Sequence, residues 1–193
     1  MALTGTGDNV LRLHTYAPFT LLRGAIENAS TAVWVMTGSN REERVARHLR
    51  HELTSAKKLK KVLSEAGETI APGTHEREKN LLAIANSYGV KRSKVAKEVT
   101  ATEIVRSASE SAGFKSAEMD LVLVYWKLCS AIAHGDRGYL HLFEKKVVGR
   151  LRPGVLSVVV TAPTNYVLSG SRGAVAMIET ARHLATQRGT SHL

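Results

Sequence analysis

Residues 125–136 read YWKLCSAIAHGD. Upstream, SAEMDLVLV continues the run, so apolar residues occupy nearly every position from Met119 to Ala133. A helix that is apolar on all sides belongs at the centre of a helical protein. Ser116 suits its N-cap, with Glu118 and Asp120 at its start, and Gly135-Asp136 mark its end. The stretch thus predicts an all-α bundle around this helix. It also raises a question about His134, four residues beyond Ser130 and seven beyond Lys127 on the same helical face. A histidine there can act as a general acid or base near neutral pH, or simply satisfy the last carbonyls of a helix.

Working outward, the chain repeats the helical pattern. In PFTLLRGAIENASTAVWVM, Leu21, Leu22, Ala25, Ile26, Ala29, Ala32, Val33 and Met36 recur at spacings of three and four, after Pro18 and before Thr37-Gly38. Ser39 or Asn40 can cap the next segment, whose first turn holds Glu42 and Glu43. Its apolar stripe runs through Val45, Leu49, Leu53, Ala56, Leu59 and Leu63 to a stop at Gly67. The tight connection predicts that these two helices form an antiparallel pair. Residues 68–73 read as a loop, Thr74 as the cap of a helix ending at Gly89, and 101–112 as a further helix. Valine-rich residues 145–161 predict a β-hairpin turning at Pro153-Gly154. The last segment, from near Pro163 to Gly189, reads as one helix weakened by Gly170 and Gly173, with the tail TSHL frayed. The expectation is an antiparallel helical bundle with a small hairpin near its C-terminal end. Residues 1–17 form a lead segment and 18–189 one domain.

Composition limits the function. The 193 residues carry 27 Lys and Arg against 17 Asp and Glu, a formal net charge of +10. Such a field attracts polyanions, nucleic acid first among them, although an acidic protein or mere solubility would also account for it. Arg44, Arg47, Arg50, Lys57, Lys58 and Lys61 gather on the second helix and are the candidate nucleic-acid contacts. The single cysteine, Cys129, excludes an internal disulfide and sits in an apolar run as a buried, inert thiol. No signal peptide or membrane span is legible, so a cytoplasmic protein without membrane attachment is expected. His48 and His51 are three apart, but the surrounding arginines would repel a cation, so no metal or cofactor is expected. Arg23 and Glu27 are placed to pair on one face of the first helix, and with Asn28 form a polar island. That island is either a surface ion pair or a group facing the central helix and its histidine.

The helix order, RGAIENASTAVWVM and a terminal AIAHG together resemble the HEPN superfamily of small helical domains over about residues 18–140. They also resemble uncharacterised actinobacterial helical proteins with the same terminal motif. Active HEPN members are dimeric, metal-independent ribonucleases in which an arginine and a polar residue precede the histidine. The resemblance implies His134 as the proton-handling group, Ser130 at the polar position, and a homodimer. Cys129 stands where the arginine belongs, and Lys127 is the nearest upstream cation. A lysine supplies a point charge but no bidentate fork for phosphate. Two functions follow as expectations. One is an RNA-associated protein, a weak or degenerate ribonuclease of toxin or phage-defence type. The other is a non-catalytic module for dimerisation or protein interaction.

Overall fold

The computed structural model describes residues 3–5, 11–13, 16–68, 72–116, 119–152 and 155–189. The chain is a mostly helical bundle with a two-stranded hairpin near its C-terminal end. Strands β1 (Leu3–Gly5) and β2 (Leu11–Leu13) pair antiparallel ahead of the helices. Then come α1 (Ala17–Met36), α2 (Arg41–Glu65), α3 (Pro72–Ser87), α4 (Arg92–Ala96), α5 (Ala101–Ser111) and α6 (Leu121–Ala133). A 3-10 turn at Arg137–Leu142 leads into β3 (Glu144–Arg152) and β4 (Val155–Thr161), and α7 (Thr164–Gly189) closes the chain. The expected hairpin is present, while its turn at Pro153-Gly154, like Glu118 and the tail TSHL, lies outside the described residues.

The central helix is α1 rather than α6. It packs on α5, α6 and α7, and its Ile26 and Val33 are fully enclosed with Val105, Trp126 and Met177. Helix α6 buries Val122, Leu123, Trp126, Cys129 and Ile132, but Leu121 and Val124 stay exposed because none of the described residues covers that side fully. The helices run antiparallel. Trp126 Nε1–H donates to Glu27 Oε2 at 3.2 Å, while Ile132, two turns on, joins Phe19 near the start of α1. Placing the indole N–H on a carboxylate satisfies the one polar atom a buried tryptophan carries.

Local chemistry sets the ends of the elements. Asn40 caps α2 by accepting the Glu43 N–H, and Thr100 with Glu103 forms a full capping box on α5. Helix α6 is capped by Asp120, not by the expected Ser116. Asp120 Oδ1 accepts both the Leu123 N–H at 2.9 Å and the buried Ser109 hydroxyl at 2.6 Å, so the cap also ties α5 to α6. Ser116 instead closes a small turn with Met119. Helix α3 starts at Pro72, two residues before the expected Thr74 cap, since proline fits a first helical position.

Helix α2 does not lie along α1 as an antiparallel partner. Its buried residues Ala46, Leu49 and Leu53 face Ala85, Val90 and Val95 of the α3–α4 region, making a second, smaller core. Leu59, expected in the buried stripe, is exposed because the residues that cover α2 do not reach that far. Helix α7 runs unbroken through Gly170 and Gly173. Gly170 is buried against α1, and a Cβ there would sit 3.0 Å from Leu22 Cδ1. The glycine that weakens the helix in isolation is thus what lets α7 approach α1. Gly170→Leu should destabilise the protein by about 1–3 kcal/mol through overpacking, measurable by urea denaturation, while Gly173→Ala, facing open space, should not destabilise it.

Candidate nucleic-acid interface

The histidine end of α6 is explained first by backbone geometry. His134 is the C-cap, Gly135 has φ of +72°, and two hydrogen bonds close the helix: Gly135 N–H to Ile132 O and Asp136 N–H to Ala131 O, both 3.0 Å. This is the Schellman arrangement, in which glycine tolerates the left-handed conformation. The same pair of bonds ends α2 at Gly67, α3 at Gly89 and α5 at Gly113. The residue before those glycines is alanine, tyrosine and alanine, so the geometry demands glycine and is indifferent to histidine. His134 is exposed, and its ring makes no hydrogen bond with the described residues.

The companions assigned to His134 are only partly assembled around it. Lys127 is exposed and Ser130 half-buried on the same face, with Lys127 two turns, roughly 10 Å along the axis, from the histidine. Cys129 is 1% exposed among Phe19, Leu128, Ile132 and Phe143, and burial pushes its thiol up to about 12. The arginine position of the resembled motif therefore points into the core, where a guanidinium would be stranded. The polar island on α1 does face α6, but at Trp126 rather than at His134. Arg23 Nε lies 3.6 Å from Glu27 Oε2, and that same oxygen accepts Trp126, two turns before His134. Asn28 is exposed beside them on the wall of a shallow cleft.

The cations of α2 divide into two sets. Arg47 reaches Trp34 O at 2.6 Å, pairs with Glu43 and lies 5.6 Å over the Trp34 ring. Arg50 donates to Lys97 O and Glu98 O, both at 2.8 Å, and Lys57 Nζ to Ala96 O at 3.3 Å. These three side chains hold α2 to its neighbours. Arg44 has a longer bond to Gly38 O, at 3.3 Å. Lys58 projects outward, and Lys61 does so 3.8 Å from Glu65.

Two clefts flank the first half of α2, on opposite sides of the helix. One, about 600 Å³, lies over Trp34 and is lined by Arg47, Arg50, Lys94 and Lys97, with Glu43 the one carboxylate among its described lining residues and Lys94 paired with Glu42 at 2.9 Å. The other, about 450 Å³, is lined by Arg41, Arg44, His48 and Arg188 with Tyr88, and no acidic side chain is among the described residues that border it. The Arg41 guanidinium stands 5.6 Å above the Tyr88 ring, which remains 49% exposed. Arg41, Tyr88 and Arg188 are contributed by α2, the end of α3 and the end of α7, a convergence with no local signal in the sequence. Only the arginine-rich composition of α2 pointed there. No group of three or more metal-binding side chains occurs among the described residues, and none of their helices is long and apolar enough to cross a membrane. No protein-family model, curated protein or solved structure matches the chain.

Gly135→Ala should cost about 1–2 kcal/mol because it forces an alanine into the left-handed region, whereas His134→Ala should change stability by less than about 0.5 kcal/mol. Thermal unfolding of both variants followed by circular dichroism makes the comparison. A second expectation concerns pH. Hydrogen bonds from the Ser39 hydroxyl and N–H, then the Arg47 guanidinium, hold the Glu43 carboxyl at about 2, below the ordinary 4.5. The folded state thus keeps Glu43 ionised where the unfolded chain takes up a proton, so its contribution is whole above about 4.5 and fades as pH falls toward 2. Glu43→Gln should be less stable than the parent at neutral pH, and the difference should shrink across that acid window in denaturation curves.

Proposed function

We propose that this chain is an RNA-associated helical bundle of HEPN-like type that holds single-stranded RNA without cutting it. The observation that carries this reading is the cleft of Arg41, Arg44 and His48 around the half-exposed ring of Tyr88, with no acidic side chain among its described lining residues. Single-stranded nucleic acid is bound by combining cations that track the phosphates with aromatic rings that stack on bases. Tyr88 already carries Arg41 against it, so a base entering the cleft would meet a ring and a guanidinium together. Lys94 and Lys97 continue the positive surface on the other side of α2. The net charge of +10 supplies the long-range attraction that brings a polyanion to this face.

Retention without cleavage fits the surroundings of His134. In-line attack by a ribose 2′-hydroxyl needs a base together with a cation on the scissile phosphate. Cys129 is buried in the core, and Lys127 lies two helical turns away on the exposed face. Moreover, Trp34, beside the α2 cations, and Phe19, beside Ile132, are fifteen residues apart on α1, roughly 22 Å along its axis. The histidine and the cationic clefts therefore belong to different ends of α1.

Fluorescence anisotropy with a labelled single-stranded RNA tests the reading. Binding should weaken steeply with salt, and Arg41→Ala should reduce the log–log salt slope by about one unit, as loss of one phosphate contact does. Tyr88→Ala should cost about 1–3 kcal/mol of affinity, the worth of one base stack. His134→Ala should leave affinity unchanged and the parent protein should leave the RNA intact. Binding that is absent, or indifferent to both cleft substitutions, overturns the proposal. Cleavage that survives a chelator and disappears in His134→Ala would replace it with the ribonuclease.

A further inference from the structure

A cleft of about 340 Å³ lies between α6 and α7. Phe114, ahead of α6, and Leu121, Val122 and Tyr125 on it form one wall. Ser169, Arg172, Gly173 and Ala176 form the other, three and four residues apart along one stripe of α7. Apart from the Ser169 hydroxyl, the Tyr125 hydroxyl and the Arg172 guanidinium, these side chains are hydrocarbon. An apolar cleft with a few converging polar groups is the usual form of a small-molecule site.

Two of the lining residues distinguish the cleft from a gap in packing. Gly170 is accounted for by the close approach of Leu22, but a Cβ on Gly173 would meet nothing within 4 Å. A glycine inside a helix weakens it relative to alanine, and at position 173 no close contact with a neighbouring helix offsets that. The room it leaves belongs to the cleft. Arg172 lines the same space while remaining exposed, and it makes no ion pair or hydrogen bond with the described residues. Its neighbours three and four positions away on α7 are Leu168, Ser169, Val175 and Ala176, none of them acidic. Asp120, the acid next to Leu121, caps α6 and accepts the Ser109 hydroxyl, and it does not line the cleft. A positive charge without a counter-charge therefore borders an apolar space.

We infer that the α6–α7 cleft binds a small amphipathic carboxylate, its hydrocarbon body among Phe114, Leu121, Val122 and Ala176 and its carboxylate on Arg172. Charge and size select this occupant. The guanidinium fork matches a carboxylate with two parallel hydrogen bonds, and Ser169, one turn away, brings a hydroxyl that can donate beside it. One cation against a hydrocarbon wall suits a ligand with one negative charge. A nucleic acid needs a row of cations for its phosphates, and the clefts of α2 have that character instead. The volume is at the lower end of small-molecule pockets, whereas a partner helix requires a groove that takes side chains over several turns. The site is independent of the RNA reading, since it shares no residue with the α2 clefts.

Titration of the isotope-labelled full chain with octanoate, followed through its amide NMR shifts, tests the site. The shifts should saturate and concentrate at residues 114, 121–125 and 169–176. Octylammonium, equal in length and opposite in charge, should bind about tenfold more weakly, the worth of one charge-assisted contact. Arg172→Gln should lower octanoate affinity about tenfold and remove the preference over octylammonium. Gly173→Leu sets a side chain into the open space and should abolish octanoate binding, with thermal unfolding no lower than in the parent. A parent that does not bind octanoate overturns the proposal, and so do shifts that fall on the α2 clefts. Equal affinity for the two probes, or binding that survives Gly173→Leu, overturns it as well. Sedimentation with anionic phospholipid vesicles in the absence of octanoate binding would make this face a membrane contact instead. If Gly173→Leu fails to fold, the exposed Arg172→Gln still decides.

Discussion

Two guanidinium groups on one helix hold this molecule together. Arg47 donates to the carbonyl of Trp34 in the last turn of α1, and Arg50 to the carbonyls that follow α4. The Trp34 carbonyl ends α1, where carbonyls lack intrahelical partners and carry the negative end of the helix dipole, whereas Lys97 O and Glu98 O belong to the extended link after α4. Arginine is suited to this because its planar fork can satisfy two oxygens at once, as Arg50 does with Lys97 O and Glu98 O. The second core of α2, α3 and α4 contains no large aromatic residue and depends on these links to sit against the first. Much of the basic face of α2 is therefore mortar. The cations not used in this way lie at its margins, on Arg41, Lys58, Lys91 and Lys97, while Lys94 pairs with Glu42 and Lys61 stands near Glu65.

The same economy governs the end of α6. Gly135 is required by the backbone, as Gly67, Gly89 and Gly113 are at the ends of three other helices. A short motif that includes such a glycine therefore matches more helix ends than its length suggests. What is specific in AHGD is His134 alone, exposed and with no ring hydrogen bond to the described residues. Cys129 shows the opposite case. It is fixed by the packing of Phe19, Ile132 and Phe143, so no cation was available at that position without rebuilding the α1–α6 contact.

Fold class was legible because periodicity and stop signals are local. The spacing of Ile26, Ala29 and Val33, the glycines after each helix, and the valine-rich residues 145–161 each act within a turn or a strand. What stayed hidden was long-range. A uniformly apolar α6 looked central, yet burial is decided by what covers a helix, and α1 is the one enclosed by three others. Gly170 looked like a weakness because its value is an approach to Leu22, far away in the chain. Ser116 looked like a cap because nothing nearby reveals that Asp120 also receives Ser109. The candidate site divides along the same line. Arg44 was readable on its helix, but the meeting of Arg41 with Tyr88 and Arg188 joins the ends of three helices.

Charge distribution connects the interior to the surface. A formal charge of +10 works against self-association by repelling a second copy at every distance within the screening length. Any self-contact must then use a surface where the charge is locally absent and burial is dense enough to offset the long-range term. The segment 155–161 has not one ionisable residue, whereas its pairing partner β3 carries Lys145, Lys146, Arg150 and Arg152. The cations of α2 have the opposite surroundings, since they border clefts open to solvent where a phosphate can replace water. Thus the excess charge and the uncharged strand mark two different kinds of surface on one chain.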